Sequence, residues 1–176
     1  MQFENQPDTP WDFALKDKND TFWGGYQVLD SSRKVFVDAP ESDQRITRDY
    51  PFWVAKGPFI DGTRVTLTTA ALHYPAGEAI RIAHIVEETE KRRTLYVMGP
   101  KAIRDEFVND ILATSATQNP GDYPWLPMSY DGVVDSSPGI DYNFEITQYR
   151  FDQQGIYRIQ WRPGHYRSNI LFITVK

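Results

Sequence analysis

Cysteine is absent from this chain of 176 residues. Its absence excludes disulfides, thiolate metal sites and a cysteine nucleophile, and a chain of this length can bury a core without covalent links. The sequence also lacks an apolar run of about 18–20 residues, so it predicts no transmembrane helix. Residues 1–13 have neither the basic nor the apolar stretch of a signal peptide. This favours the cytoplasm by default, or secretion if a leader has been removed.

Basic residues are few and scattered. The net charge is −5 and the pI is about 5.2, and the longest basic run is residues 91–93. Such a balance argues against nucleic acid and against an anionic membrane as partners. The glycine patterns of dinucleotide-binding and phosphate-binding loops are missing too, so we expect no cofactor.

Aromatic residues, by contrast, are abundant. They make up 14% of the chain, with five Trp, ten Tyr and ten Phe. Aromatic side chains favour strands, and short alternating runs recur between turn residues about every 8–12 positions, so the sequence predicts an all-β fold. We expect an antiparallel sandwich of about seven to nine strands over residues 34–176. An aromatic-rich N-terminal arm, residues 1–33, is expected to pack on that domain.

One short helix is expected, over about residues 100–113. Pro100 suits the first turn of a helix. The apolar residues of this stretch fall at helical spacing: Ile103, Phe107, Val108, Ile111 and Leu112. The alternative is a strand centred on Phe107 and Val108 that returns through a turn at Asn109 and Asp110.

Two hairpins give the clearest strand signals. Residues 63–74 and 78–88 alternate in polarity on either side of a Pro-Ala-Gly turn. Residues 155–162 alternate in the same way, and residues 170–175 are β-branched and aromatic with almost no polar interruption. We expect one face of each strand of this closing hairpin to pack into the core.

The segment 153–159, Gln-Gln-Gly-Ile-Tyr-Arg-Ile, resembles the tyrosine corner of immunoglobulin-like sandwiches. The resemblance implies that the hydroxyl of Tyr157 bonds back to the backbone at the start of the penultimate strand. It departs from the antibody pattern, because Ile159 stands where that pattern has a cysteine. It therefore implies an immunoglobulin-like or fibronectin-like sandwich, which is a fold that hosts many unrelated functions.

Few residues point to catalysis. The chain has three His, and His73 and His84 fall on the neighbouring strands of the internal hairpin. Together with Glu87 they would supply a two-histidine, one-carboxylate metal site. A small hydrolase or metal-dependent enzyme built on them is therefore the alternative function. The spacing of cupin metal sites and the Gly-x-Ser-x-Gly elbow are both missing, so we expect no metal and no catalytic residue.

A recognition surface is better supported by the long stretch 114–141, which has no periodicity. A stretch of this length either lines a pocket or plugs the end of the sandwich. It contains aromatic rings close to a hydrogen-bonding carboxylate, as a sugar face or a protein hot spot requires. The candidate ligand-binding residues there are Tyr123, Trp125, Tyr130 and Asp131.

A second candidate surface lies on the closing hairpin. Arg158 and Arg162 are suited to a carboxylate-bearing partner, unless Glu145 on the preceding strand pairs with them. Ile170 and Phe172 are expected to point outward, and they need cover from the arm, the helix or a second copy of the chain. The sequence thus predicts a non-catalytic binding or assembly module that recognises a protein or carbohydrate partner, or forms a homo-oligomer.

Overall fold

The structure, a computed structural model, describes residues 27–30, 32–33, 35–50, 53, 55–90, 94–96, 101–118, 134–136, 139–141 and 144–176. In these ranges the chain is mostly β, with one short helix, α1 (Glu41–Asp49). The strands in chain order are β1 (Gln27–Asp30), β2 (Val35–Asp38), β3 (Phe59–Ile60), β4 (Thr63–Thr69), β5 (His73–Tyr74), β6 (Ile80–Glu88), β7 (Thr94–Tyr96), β8 (Glu106–Val108), β9 (Ile111–Leu112), β10 (Val134–Ser136), β11 (Gly139–Asp141), β12 (Thr147–Tyr149), β13 (Gly155–Trp161) and β14 (Ile170–Val175).

The strands form two larger sheets that share one apolar core. In the first sheet the order is β11-β6-β4-β3, and β12 also pairs with β6. In the second sheet the order is β5-β14-β13-β8-β9. Every strand pair in the two sheets is antiparallel except β5 with β14, which is parallel. Two further strand pairs, β1 with β2 and β7 with β10, complete the described strands.

The core lies between the two sheets, and strand alternation produces it. On β14, Leu171, Ile173 and Val175 are buried, while Ile170 and Phe172 are exposed. Successive side chains of a strand point to opposite faces, so one face of the closing hairpin enters the core. The inward and outward faces predicted for this strand are confirmed.

The first sheet is buried on both faces. Its outer face is covered by α1, where Asp43 binds Arg81 through two hydrogen bonds of 2.6 and 2.7 Å. Beneath the end of the helix, Glu87 accepts hydrogen bonds from Arg64 and from the hydroxyl of Tyr50. All residues of β4 and nearly all of β6 are consequently buried, as in a strand that is covered from both sides.

The helix predicted over residues 100–113 is wrong, because this stretch forms the β8–β9 hairpin. Asn109 and Asp110 have φ angles of 50° and 65°, as a two-residue type I′ turn requires. The alternative strand-and-turn interpretation is confirmed. The single described helix is α1 instead. It packs on the first sheet, so it does not cover Ile170 and Phe172 of the second sheet.

The continuous strand predicted over residues 63–74 is interrupted. It runs in the first sheet as β4, ends at Thr69, and resumes as β5 at the edge of the second sheet. There β5 pairs in parallel with the last strand, with Thr174 opposite His73 and Val175 opposite Tyr74. Residues 63–74 therefore contribute one strand to each of the two sheets.

The start of β13 contains the hydrogen bond that the sequence resemblance implied. The hydroxyl of Tyr157 donates to the carbonyl of Gln153 over 2.9 Å. The ring of Tyr157 stacks on Phe151 at 3.7 Å between centroids.

In the described ranges no helix is long and apolar enough to span a membrane. The first 26 residues of the predicted arm lie outside those ranges, so its place on the body stays a prediction.

Candidate functional site

The outer face of the second sheet is the candidate site. Its exposed large apolar side chains are Ile156, Ile170, Phe172 and Leu112, with Phe107 partly buried beside them. The register places them together, because Arg158 lies opposite Phe172, Gln160 lies opposite both Ile170 and Phe107, and Phe107 lies opposite Leu112. Residues directly opposite each other in antiparallel strands share a face.

Two arginines cross this face and share one carboxylate. Both Arg158 and Arg162 donate to Asp110, which occupies the second position of the β8–β9 turn. The turn is fixed against β13 on its other side, where Asn109 exchanges two hydrogen bonds of 2.8 and 2.9 Å with the backbone of Arg158. The type I′ turn therefore sets the position of Asp110 over the two arginines.

The guanidinium of Arg162 is held by several contacts. It lies 4.6 Å from the ring centroid of Phe107, and its Nε donates to Gln160 over 2.8 Å. A guanidinium carries five N–H donors, so it can serve a further acceptor. Arg162 is thus the more rigid of the two arginines, whereas half of the Arg158 side chain is exposed to solvent.

The electrostatics of the face are unbalanced. Hydrogen bonding from Arg162, with the charges of both arginines, holds the pKa of Asp110 below its usual range. One carboxylate is therefore set against two guanidinium groups, which leaves an excess of positive charge on an otherwise acidic protein. An incoming carboxylate would meet two donors of fixed geometry beside exposed apolar side chains.

Of the predicted ligand-binding residues, the structure places only the two arginines. Arg158 and Arg162 both pair with Asp110 and not with Glu145, and their role in binding a ligand stays a prediction. Tyr123, Trp125, Tyr130 and Asp131 lie outside the described residues. Asp110 was missed as a site residue, although the alternative turn at residues 109–110 was the signal that could have revealed it.

The residues of the alternative metal site do not meet. His84 points into the core, where its Nε2 lies 2.6 Å from a carboxylate oxygen of Glu106 on the opposite sheet. Glu87 points to the other face of the same strand, and His73 is exposed on β5. In the described part of the chain no cluster of three metal-ligating side chains occurs.

The His84–Glu106 pair belongs to a buried polar network between the sheets. Glu106 also accepts a hydrogen bond from Tyr149, and the His84 ring meets Trp161 edge-on at 5.1 Å. Burial alone would raise the pKa of Glu106, but the charge of His84 and the hydrogen bonds from His84 and Tyr149 outweigh it and lower the pKa. These groups are enclosed, so the network stabilises the contact between the two sheets.

A second buried ion pair lies nearby in the same core. The Nζ of Lys101 is 2.9 and 3.1 Å from the two carboxylate oxygens of Asp141, and both side chains are almost completely buried. Lys101 fell within the predicted helix and Asp141 at the end of the stretch without periodicity, so no local pattern paired them. Only the tertiary fold brings them together.

Comparison with known proteins provides no relative from which to transfer a function. No protein-family model, curated protein or solved structure matches the chain.

Proposed function

We propose that this chain is an immunoglobulin-like sandwich that acts as a non-catalytic binding module, and that the outer face of the second sheet docks a protein partner. The observation that carries the proposal is the exposed apolar patch around Phe172, next to two arginines that share one carboxylate. An exposed apolar patch beside polar groups is typical of a protein–protein interface.

The order of the strands supports the immunoglobulin-like part of the proposal. Immunoglobulin sandwiches place their first, second and fifth strands in one sheet and their third, sixth and seventh in the other. Here β4, β6 and β11 share the first sheet, and β8, β13 and β14 share the second. The Tyr157 hydrogen bond at the start of β13 corresponds to the tyrosine corner of that fold.

The chemistry of the face favours an acidic polypeptide as the partner. Arg162 offers a planar fork of donors, and Phe172 and Ile170 offer apolar area within reach of it. A segment that presents an Asp or Glu next to apolar side chains would satisfy both. A second copy of the chain fits less well, because two such faces would bring their excess positive charges together. The prediction of a carbohydrate partner depended on residues 123–131, which lie outside the described ranges.

The enzyme alternative receives no support from the geometry. His84 already pairs with Glu106 in the enclosed core, and Glu87 pairs with Arg64 beneath α1. Neither side chain reaches a concave surface shared with His73.

The proposal is tested by site-specific photo-crosslinking in cells that produce the protein. A photo-reactive phenylalanine analogue replaces Phe172 in the full chain, and in a matched control it replaces Phe59, an exposed aromatic residue of the first sheet that also lies against an arginine. We expect a discrete protein adduct from position 172 and none from position 59. Replacing Arg158 and Arg162 by Glu should abolish that adduct.

The mass of the adduct identifies its source. An adduct with twice the mass of the chain would show that the partner is a second copy of the chain and not an acidic polypeptide. The face would then serve self-assembly. Equal crosslinking from both positions, or none from position 172, would contradict a docking role for this face.

A further inference from the structure

The buried pair of Lys101 and Asp141 contains the two functional groups from which an amide bond can form. It brings a primary amine and a carboxyl group into direct contact, with relative side-chain exposures of 0% and 3%. The Nζ atom lies 2.9 and 3.1 Å from the two carboxylate oxygens, so it also lies close to the carbon between them. The two groups are therefore already in contact, which is the proximity that an intramolecular reaction requires.

The backbone holds both residues at this separation. Lys101 forms a parallel bridge with Phe144, and its carbonyl accepts a hydrogen bond of 2.9 Å from the amide of Glu145. Asp141 lies on β11, opposite Val86 of β6. The two side chains therefore extend from hydrogen-bonded backbone positions on two paired segments.

An aromatic ring lies against the amine of the pair. The Nζ of Lys101 lies 4.3 Å from the ring centroid of Phe144, which in turn packs edge-on against Trp161 at 5.3 Å. Burial lowers the pKa of the Lys101 ammonium, although the Asp141 carboxylate opposes that shift. A desolvated lysine reaches its neutral, nucleophilic form more easily than an exposed one.

We propose that Lys101 and Asp141 join through an intramolecular amide bond between their side chains. One proton passes from the ammonium to the carboxylate, which makes both groups neutral. The Nζ then attacks Cγ of Asp141, a nitrogen–carbon bond forms, and the Cγ–O bond breaks. The hydroxyl leaves with the second proton of the nitrogen as one water molecule. Atoms and charge balance without an oxidant, a reductant or a further reactant.

Two physical effects favour this condensation. Effective concentrations of well-oriented groups reach about 10⁵–10⁸ M, which lowers the entropic cost of bringing the amine to the carboxyl carbon. An ion pair in a dry core also bears a large desolvation cost, and the amide removes both charges. The other buried pairs described above are unable to react in this way. Arg64 keeps its charge opposite Glu87, and His84 offers Glu106 an imidazole whose acyl product is hydrolysed by water.

The bond is tested by the intact mass of the full chain under denaturing conditions. We expect a mass lower than that of the sequence by one water molecule, and a proteolytic fragment in which residues 101 and 141 are linked. The matched control is Lys101→Arg, which keeps the positive charge but forms no such bond, and its mass should equal that of its sequence. Its melting temperature should fall by about 5–15 °C, because a covalent closure over 40 residues restricts the unfolded chain.

Water can also be lost at Asp-Gly sequences, which occur at Asp61-Gly62 and Asp131-Gly132 and form cyclic imides. Hydroxylamine opens such imides and leaves an amide intact, so the mass after this treatment separates the two. An unmodified wild-type mass after prolonged incubation of the folded protein would overturn the proposal, and so would a water loss that maps elsewhere. The fragment analysis uses the wild-type chain alone, so it decides the question even if Lys101→Arg fails to fold.

Discussion

The outer faces of the two sheets carry the same chemical groups in opposite environments. On the first sheet Arg64 and Glu87 are enclosed beneath α1, whereas on the second sheet Arg158, Arg162 and Asp110 are open to solvent. Enclosed ions must be paired because water no longer solvates them, and exposed ions interact weakly because water and salt screen them. The difference shows that the cover, and not the residue types, decides whether an ion pair stabilises the fold or remains available to a partner.

The largest loss of stability is expected on the outer face of the first sheet, which α1 covers. Glu87→Ala leaves the charge of Arg64 and the hydroxyl of Tyr50 buried without their acceptor, and should cost about 3–5 kcal/mol of unfolding free energy. Urea denaturation monitored by tryptophan fluorescence measures it. On the exposed face, Asp110→Asn removes the charge but keeps a residue that tolerates the turn backbone, and should leave the denaturation midpoint unchanged. Equal losses from the two variants would remove the distinction between the faces.

A second expected effect uses pH to compare a buried carboxylate with an exposed one. The folded-state pKa of Glu106 is lowered, so its contribution to stability is present above the ordinary glutamate range of about 4.3 and is lost as pH falls through the folded-state value. We expect the midpoint of urea denaturation to fall steeply below about pH 4. Glu106→Gln should flatten this decline.

Asp110→Asn is the control for the pH experiment. The pKa of Asp110 is lowered as well, but its carboxylate is exposed and its contribution is screened by salt. The acid decline of this variant should match that of the wild type in moderate salt. A flattening as large as that of Glu106→Gln would place the acid sensitivity on the surface and contradict the assignment.

A smaller effect is expected from removing single hydroxyl groups. Tyr50→Phe deletes a buried donor to the Glu87 carboxylate and should cost about 1.5–3 kcal/mol. Tyr157→Phe deletes a more exposed donor to the carbonyl of Gln153 and should cost about 0.5–1.5 kcal/mol. Thermal unfolding followed by circular dichroism measures both. The reverse order would show that the hydrogen bond of Tyr157 contributes more than the bond of Tyr50 beneath α1.

The smallest expected effect lies at the candidate docking surface. Phe172→Ser should change the free energy of unfolding by no more than about 0.5 kcal/mol, because the side chain is 53% exposed. Its neighbour in the chain, Ile173, points into the core, and Ile173→Ala should cost about 2–5 kcal/mol. The pair is measured by chemical denaturation. A large loss from Phe172→Ser would mean that the folded chain itself covers this side chain.

The sequence predicts a structural element well where its residues alternate and poorly where the decisive contacts are distant. The faces of β14 follow from alternation alone, so Leu171 and Phe172 were assigned correctly. The helix α1 escaped detection because its buried side is formed by Asp43 and Ile46, followed by Tyr50 just beyond its end. The first of these is charged, and its partner Arg81 is distant in sequence.

The β8–β9 hairpin shows the opposite limit. Its apolar residues satisfy helical spacing, and only the left-handed backbone at Asn109 and Asp110 selects the turn. That choice also decides the candidate site, because Asp110 reaches Arg158 and Arg162 only from such a turn. The contact between Lys101 and Asp141 depends on the assembled core, and no local pattern announces it.

The parallel contact between β5 and β14 determines how the chain responds to tension. The amides of Thr174 and Lys176 donate to the carbonyls of Leu72 and Tyr74 over 2.8 and 3.0 Å, and the amide of Ala76 returns a bond of 3.0 Å to Lys176. A force that pulls the C-terminus along β14 acts across these hydrogen bonds and shears them together instead of opening them one by one. Because β13 bonds along its other side, β14 is suited to spread a pull on its C-terminal end over the whole second sheet.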